Sequence, residues 1–175
     1  YEAPNLAGEL PLVMYTFYQA EAWCEARGKR LCFDDEWTDA CEGPSATAYP
    51  YGAHESGVCN DDELWRQYNQ TELNKWPGAV GATNVTSLDA LLDAAAAVSA
   101  NGAAAAEHVS WLYQGEGSGV NAGCSNVYGA YDLTGNVEEW TRRRNSNDPD
   151  FSGNLKGRYW AEARTCQGSV TTHGN

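Results

Sequence analysis

The stretch Gly129-Ala-Tyr-Asp-Leu-Thr-Gly-Asn-Val-Glu-Glu-Trp-Thr141 holds more conformationally special residues than an ordinary surface loop needs. Its aromatic opening is typical of a strand, the Gly135-Asn136 pair is typical of a tight turn, and Glu139 lies among bulky residues. The stretch therefore predicts a tight turn that carries a carboxylate, and we expect the fold to be organised around it.

The composition fits a single acidic domain. The chain has 175 residues and a mass of 19.0 kDa, which is enough to bury a substantial core. A formal charge of −13 argues against nucleic acid and anionic membrane surfaces, because Lys and Arg make such contacts, but it is compatible with divalent cations. Seven Trp and ten Tyr supply amphipathic rings, which are common in carbohydrate- and protein-binding surfaces and also fill irregular cores.

The six cysteines form an even set without a Cys-x-x-Cys pair, which favours disulfides over a zinc site. We therefore expect an extracellular or cell-surface location, with the periplasm as another oxidising compartment. The chain begins at Tyr1 without Met and carries neither a signal-peptide apolar run nor a segment long enough to span a bilayer, so a processed or incomplete chain is expected. Two glycosylation-type sequons, at Asn69 and Asn84, agree with export.

Two helices are predicted near the N-terminus. Apolar residues at three- and four-residue spacing indicate an amphipathic helix over residues 16–27, ended by Gly28. Asp34 or Asp35 is suited to cap a second, short helix that runs to Cys41.

Two consecutive segments in the middle of the chain differ in composition and periodicity. Residues 42–84 show no sustained periodicity and predict irregular structure. Residues 87–108 are rich in Ala and predict a helix broken near Asn101-Gly102. Because that segment has little large apolar surface, we expect a peripheral insertion rather than a core element. A final strand is expected over residues 155–160.

The remaining segments carry no pattern of a phosphate-binding or hydrolytic site. The glycines of residues 111–119 predict a flexible loop, since no Lys-Ser/Thr pair accompanies them. No Ser/His/Asp arrangement with a nucleophile elbow occurs. His54, His108 and His173 lie in unrelated polar contexts and are expected to be surface residues.

Several landmarks follow one another along the chain: Ala20-Glu-Ala-Trp-Cys-Glu-Ala-Arg-Gly-Lys-Arg-Leu31, Glu36-Trp37, Cys41, Tyr49-Pro-Tyr-Gly52, Cys59-Asn60, Tyr128 to Thr141, and Leu155-Lys-Gly157. In this order they resemble the formylglycine-generating enzyme, or sulfatase-modifying factor, family over about residues 13–174, with residues 87–107 as an Ala-rich helical insertion. The resemblance implies one α+β domain, residues 1–175, of C-type-lectin-like fold. Two helices would pack with small twisted antiparallel sheets and much irregular chain held by calcium and disulfides.

The resemblance also implies that the family's catalytic centre is missing. Enzymatic members oxidise a cysteine or serine of a sulfatase to formylglycine with two active-site cysteines and a copper ion. The corresponding segment here, residues 156–166, contains one cysteine, and Arg164-Thr-Cys166 resembles a later structural motif. Because that chemistry needs two thiolates at bonding distance, we expect a non-catalytic member.

The family's calcium sites transfer better onto this sequence. Such sites combine carboxylates with carbonyls, as calcium prefers. One implied site consists of the side chain of Asp132, the carbonyls of Gly135 and Val137, and Glu139. Asn60 and the carbonyl of Asp61 match part of a second site. The alternative is that Asp132 only caps a turn and Glu139 is a solvated carboxylate.

The disulfide pattern implied by the resemblance is partial, since six cysteines allow many connectivities. Cys166 would have a structural role with Cys41 as its partner, and Cys59 with Cys124 is the second preferred pair. Cys24 and Cys32 would then bond to each other or to cysteines beyond the present C-terminus.

Three functions remain open. Family members have a longer N-terminal region and a closing Gly-Phe-Arg strand, so we expect a partial chain or one completed by a neighbour in an oligomer. The first function is a non-catalytic, calcium-stabilised lectin-like domain that binds a glycan or protein, or builds an extracellular assembly such as a homo-oligomer or filament. The second is a copper or iron oxidase of the same family. The third is a diversified ligand-binding protein, which would vary around residues 142–170.

Overall fold

The computed structural model describes residues 7–80, 84–144 and 152–172. Helices precede the strands along the chain. The helices are α1 (Phe17–Glu25), α2 (Asp34–Glu42), α3 (Gln70–Leu73), α4 (Leu88–Val98) and α5 (Ala100–Leu112), with a 3-10 turn at Gly43–Ser45. The strands are β1 (Glu139–Arg142), β2 (Gly153–Lys156), β3 (Arg158–Tyr159), β4 (Glu162–Ala163) and β5 (Val170–Thr172).

The strands form small antiparallel sheets. One sheet has the order β1-β2-β5, with Trp140 of β1 opposite Leu155 of β2, and β3 pairs with β4 in a second sheet. The prediction of one strand over residues 155–160 is wrong, because Gly157, at φ +82°, separates β2 from β3. The end of the predicted turn stretch becomes β1, so the turn is tied to the larger sheet.

The two N-terminal helices were predicted from local sequence, and both are present. Thr16 caps α1 with its hydroxyl, as residue types at a helix start predict. At α2 the capping residue is Phe33, whose N–H donates to the Glu36 side chain at 2.9 Å. The prediction that Asp34 or Asp35 caps this helix is therefore wrong. Both carboxylates instead lie in its first turn, where they suit the helix dipole.

The Ala-rich segment is a helical hairpin. The predicted break is present, but it lies at Ser99, two residues before Asn101. The Ser99 hydroxyl accepts from the Gly102 N–H at 3.1 Å and caps α5. A Cβ at Gly102 would lie 2.2 Å from the Ala95 carbonyl oxygen of α4. Gly102 therefore allows the two helices to approach closely, and it does not interrupt α5.

Some of the buried apolar residues pack into two clusters. One cluster joins α2 to the turn and consists of Trp37, Cys41, Leu133 and Cys166. The other consists of Val80, Leu91, Ala95 and Ala106, with Tyr15, Trp76, Val85, Leu92 and Ala94 packed against it. The hairpin thus contributes to the core, and the expectation of a peripheral element is wrong.

The segment between α2 and the hairpin is mostly irregular where it is described, as its sequence predicted. It contains the 3-10 turn and the single helical turn of α3. None of the helices in the described ranges is long and apolar enough to cross a membrane.

Candidate metal-binding turn

The backbone of the turn adopts left-handed conformations at three closely spaced positions. Asp132, Gly135 and Asn136 have φ values of +60°, +72° and +56°. Asp, Asn and Gly are the residues that tolerate this region best, so the sequence matches the backbone it adopts. Between them, Thr134 is fully buried. The turn is therefore an internal feature and not a surface loop.

Asn136 connects the turn to two other segments, a role that the sequence analysis missed. Its amide donates to the Glu116 carbonyl at 3.1 Å, and its side-chain oxygen accepts from the Glu116 N–H at 2.8 Å. Its backbone N–H donates to the Asn60 carbonyl at 2.6 Å. A Gly-Asn pair could have indicated the left-handed turn, but not these distant partners.

The predicted partial second site lies directly behind the turn. The Asn60 amide donates to the Gln114 carbonyl at 2.9 Å and to the Asn136 side-chain oxygen at 3.1 Å. The Asp61 carboxylate accepts from the Gly57 N–H at 3.1 Å and lies 3.0 Å from His54. Asn60 therefore supports the turn, whereas the contacts of Asp61 hold its own loop, at His54 and Gly57. The role of Asn60 and Asp61 as calcium ligands stays a prediction.

Two carboxylates of the predicted first site face one cavity. Asp132, Val137 and Glu139 line a cavity of about 830 Å³. The Asp132 carboxylate accepts from the Gly119 N–H at 2.8 Å, and Glu139 accepts from the Trp37 indole N–H at 2.5 Å. Glu139 is therefore not a freely solvated carboxylate.

Gly135 lies on the buried side of the turn, where its N–H donates to the Gly157 carbonyl at 2.9 Å. A Cβ at Gly135 would lie 2.4 Å from the Asn60 carbonyl oxygen. Residues of the two predicted calcium sites are therefore neighbours. Asn60 and Asp61 of the second site lie against Gly135 of the first site. Among the described residues, no group of three His, Cys, Asp or Glu side chains is arranged as a metal cluster.

The electrostatics of the carboxylate pair suit a bound cation. Burial raises the pKa of Glu139 to about 7, the Trp37 indole lowers it in part, and the charge on Asp132 raises it further. Burial also raises the pKa of Asp132, against the effect of the Gly119 N–H and the Ser118 hydroxyl. A hard cation would offset both the burial and the repulsion. Asp132, Glu139 and the turn carbonyls are therefore the groups that could hold a calcium ion, and their role as ligands stays a prediction.

The raised pKa of Glu139 predicts how stability depends on pH in chelator. The Glu139 carboxyl binds its proton more tightly in the folded state than in the unfolded chain. Protonation therefore stabilises the folded state fully below the ordinary pKa of 4.5, and this stabilisation is lost as pH rises towards 7. The expected loss is about 3 kcal/mol in the free energy of unfolding, measured by urea denaturation.

Glu139→Gln is the control for this pH effect. The glutamine keeps the side-chain shape and cannot titrate, so the difference in stability between the variant and the wild-type protein should change across this interval. If the two proteins show parallel pH profiles, the carboxyl of Glu139 does not titrate as stated.

The structure contains two disulfides, Cys41–Cys166 and Cys59–Cys124. They are the two pairs that the family resemblance implied. Cys24 and Cys32 are free, so of the two alternatives predicted for them, the bond to each other is not formed. Both line the cavity that holds Glu139.

Of the three histidines, His54 contacts Asp61 and His108 accepts from the Asn69 N–H at 2.9 Å. His173 lies outside the described residues.

A family model described as the sulfatase-modifying factor enzyme 1-like domain matches residues 4–173. The chain belongs to this family. The inactive C-alpha-formylglycine-generating enzyme 2 of Bos taurus is 28% identical over 164 residues, which cover 93% of this chain and 42% of that relative. This sulfatase-modifying factor-like chain therefore spans less than half the length of the curated relative it matches.

Proposed function

We propose that this chain is a non-catalytic domain of C-type-lectin-like fold, stabilised by calcium, that serves ligand binding or assembly in an extracellular or other oxidising compartment. The observation that carries the non-catalytic part is the state of Cys166. It is fully buried and bonded to Cys41, and residues 156–166 contain no second cysteine. The similarity to a relative named inactive supports the same conclusion.

Calcium is the proposed stabilising ion because the turn concentrates negative charge in a place where burial disfavours it. When bound, the ion would supply positive charge between Asp132 and Glu139. The protein's own contribution is to orient these groups: the Gly119 N–H positions Asp132, and the Trp37 indole positions Glu139. The disulfides support an oxidising location, because such bonds persist outside reducing compartments.

Calcium should raise the melting temperature of the wild-type protein, and chelator should reverse the rise. At a calcium concentration about 100 times Kd, the expected shift is roughly 5 to 10 °C. Asp132→Asn and Glu139→Gln should each remove most of this shift in a differential scanning experiment.

The control is Glu162→Gln, which removes one negative charge from an exposed residue that pairs with Arg158. It should keep the full calcium response. Equal melting of the wild-type protein with and without chelator would overturn the calcium proposal, whatever the variants do.

The alternative is a metal-dependent oxidase related to formylglycine-generating enzyme. One observation favours it, since Cys24 and Cys32 are free thiols on the same cavity as Glu139. Burial raises the pKa of both thiols, which lowers their thiolate fraction and hence their reactivity.

A thiol titration together with metal analysis separates the two functions. In non-reducing denaturant, the expected result is two titratable thiols, at Cys24 and Cys32, and no copper in the purified protein. A titratable thiol at Cys166, or stoichiometric copper lost in Cys24→Ala, would favour the oxidase.

A further inference from the structure

Large apolar side chains are exposed together beside the helical hairpin. Leu64, Trp65, Tyr68 and Trp111 are 84%, 59%, 54% and 51% exposed. We name these four residues the aromatic platform. Three of the four lie within residues 64–68, and Arg66 of this segment contacts Trp111. Exposed apolar residues concentrated in one region of a folded domain mark an interaction surface more often than isolated ones do.

The platform segment is held in place by hydrogen bonds, most of which involve its backbone. Residues 63–69 run along the last turns of α5, and four hydrogen bonds attach them to the rest of the domain. These are Glu63 N–H to the Trp160 carbonyl, Gln114 side chain to the Leu64 carbonyl, Arg66 side chain to the Trp111 carbonyl, and Asn69 N–H to His108. An attached segment loses little conformational entropy when a partner binds, so its exposed rings are preorganised for contact.

Trp111 is positioned by its neighbours. The His108 ring stacks on it with a centroid distance of 5.7 Å, and the Arg66 guanidinium lies 5.8 Å from its ring centre. Trp and Tyr are the residue types that most often dominate binding energy at protein interfaces. Trp111 and its support by His108 come from the helix that the Ala-rich segment forms, so the platform depends on the hairpin.

The charge around the platform selects the kind of partner. The carboxylates of Asp62, Glu63 and Glu107 are exposed beside it. Lys75 pairs with Glu72 at 2.7 Å, and the single charge of Arg66 beside Trp111 is outnumbered by the three carboxylates. A second copy of the chain would bring another charge of −13 to this surface and would be repelled.

We propose that the aromatic platform docks a cationic segment of a partner protein, with Arg or Lys side chains over Trp65 and Tyr68 and the flanking carboxylates around them. Cations stack favourably on Trp and Tyr faces, and carboxylates beside the rings add charge complementarity. This inference specifies a partner for the binding role proposed above and rests on that role. It is independent of the calcium turn.

The test selects peptides from a phage-displayed library of random dodecapeptides with the immobilised wild-type domain. The selected peptides should be enriched in Arg and Lys. Trp65→Ala and Tyr68→Ala should each weaken the best peptide at least about tenfold, as loss of a central interface residue does. Glu63→Gln should weaken it about threefold and reduce its salt dependence.

The matched control is Tyr128→Ala, which removes a ring that is 66% exposed away from the platform. It should bind as the wild-type protein does. Peptides that bind Trp65→Ala equally well would show attraction by net charge alone and overturn the proposal. Failure to select any peptide would also overturn it.

Two other occupants give distinct outcomes that overturn the proposal. A printed glycan array whose signal is lost in Trp65→Ala would assign the platform to carbohydrate. Concentration-dependent dimers in sedimentation velocity, lost in the same variant, would assign it to a second copy. Each leaves the calcium-dependent melting unchanged, so failure of the platform is distinguishable from failure of the calcium-stabilised domain.

Discussion

Replacing Cys41 and Cys166 together by alanine should lower the free energy of unfolding by about 4 to 5 kcal/mol. The bond joins residues separated by 125 positions, and a cross-link that closes a long loop restricts the unfolded chain strongly. Both cysteines are also fully buried in the cluster with Trp37 and Leu133. The loss is a large part of the stability of an ordinary domain, so the variant should unfold at much lower urea concentration.

Cys32→Ala is the control for this prediction, because Cys32 is an exposed residue that forms no disulfide. It should change the stability by less than about 1 kcal/mol. Removing Cys59 and Cys124, which are separated by 65 positions, should cost a few tenths of a kcal/mol less than removing the longer cross-link. If the Cys41/Cys166 variant unfolds like Cys32→Ala, the bond does not restrict the unfolded chain as argued.

Gly135→Ala should cost about 3 to 5 kcal/mol, the second largest effect we expect. The residue has φ +72°, which disfavours any Cβ, and the added atom would lie 2.4 Å from the Asn60 carbonyl oxygen. Because that neighbour is backbone, the turn itself must move, and the bond from the Asn136 N–H to the Asn60 carbonyl is disturbed. The measurement is urea denaturation, repeated with calcium to see whether the calcium response is reduced.

Gly129→Ala separates the backbone strain of a positive φ from the steric clash of an added Cβ. Gly129 has φ +77°, but a Cβ there would meet no atom within 4 Å. This variant should therefore cost only the conformational strain, about 1 to 2 kcal/mol. Equal losses for the two variants would mean that the contact with Asn60 does not restrict the turn.

The sequence predicted those elements whose determinants are local. α1 was predicted from its helical spacing alone, and the structure adds the local cap by Thr16 at its start. The break in the Ala-rich hairpin was misplaced because Gly102 looks like a helix breaker in sequence. In the fold it permits contact with Ala95 of the other helix, which is a tertiary requirement. Phe33 escaped prediction as a cap because the bond comes from Glu36 reaching back to its N–H.

The sequence predicted which residues belong to the candidate site, but not which other residues they contact. Asp132 and Glu139 were identified from a resemblance to a family, and the structure places them on one cavity. The groups that orient them come from elsewhere in the chain: Trp37 is 102 positions from Glu139, and no periodicity or spacing relates the two. The same holds for Asn136 and Asn60, which are 76 positions apart.

The two disulfides are nested, since Cys59–Cys124 lies inside the loop closed by Cys41–Cys166. The exposed segment that carries Leu64, Trp65 and Tyr68 lies within both loops. A protease that cuts this segment therefore leaves two fragments joined by two covalent bonds. The domain can be nicked within this exposed segment and still migrate as one molecule until it is reduced.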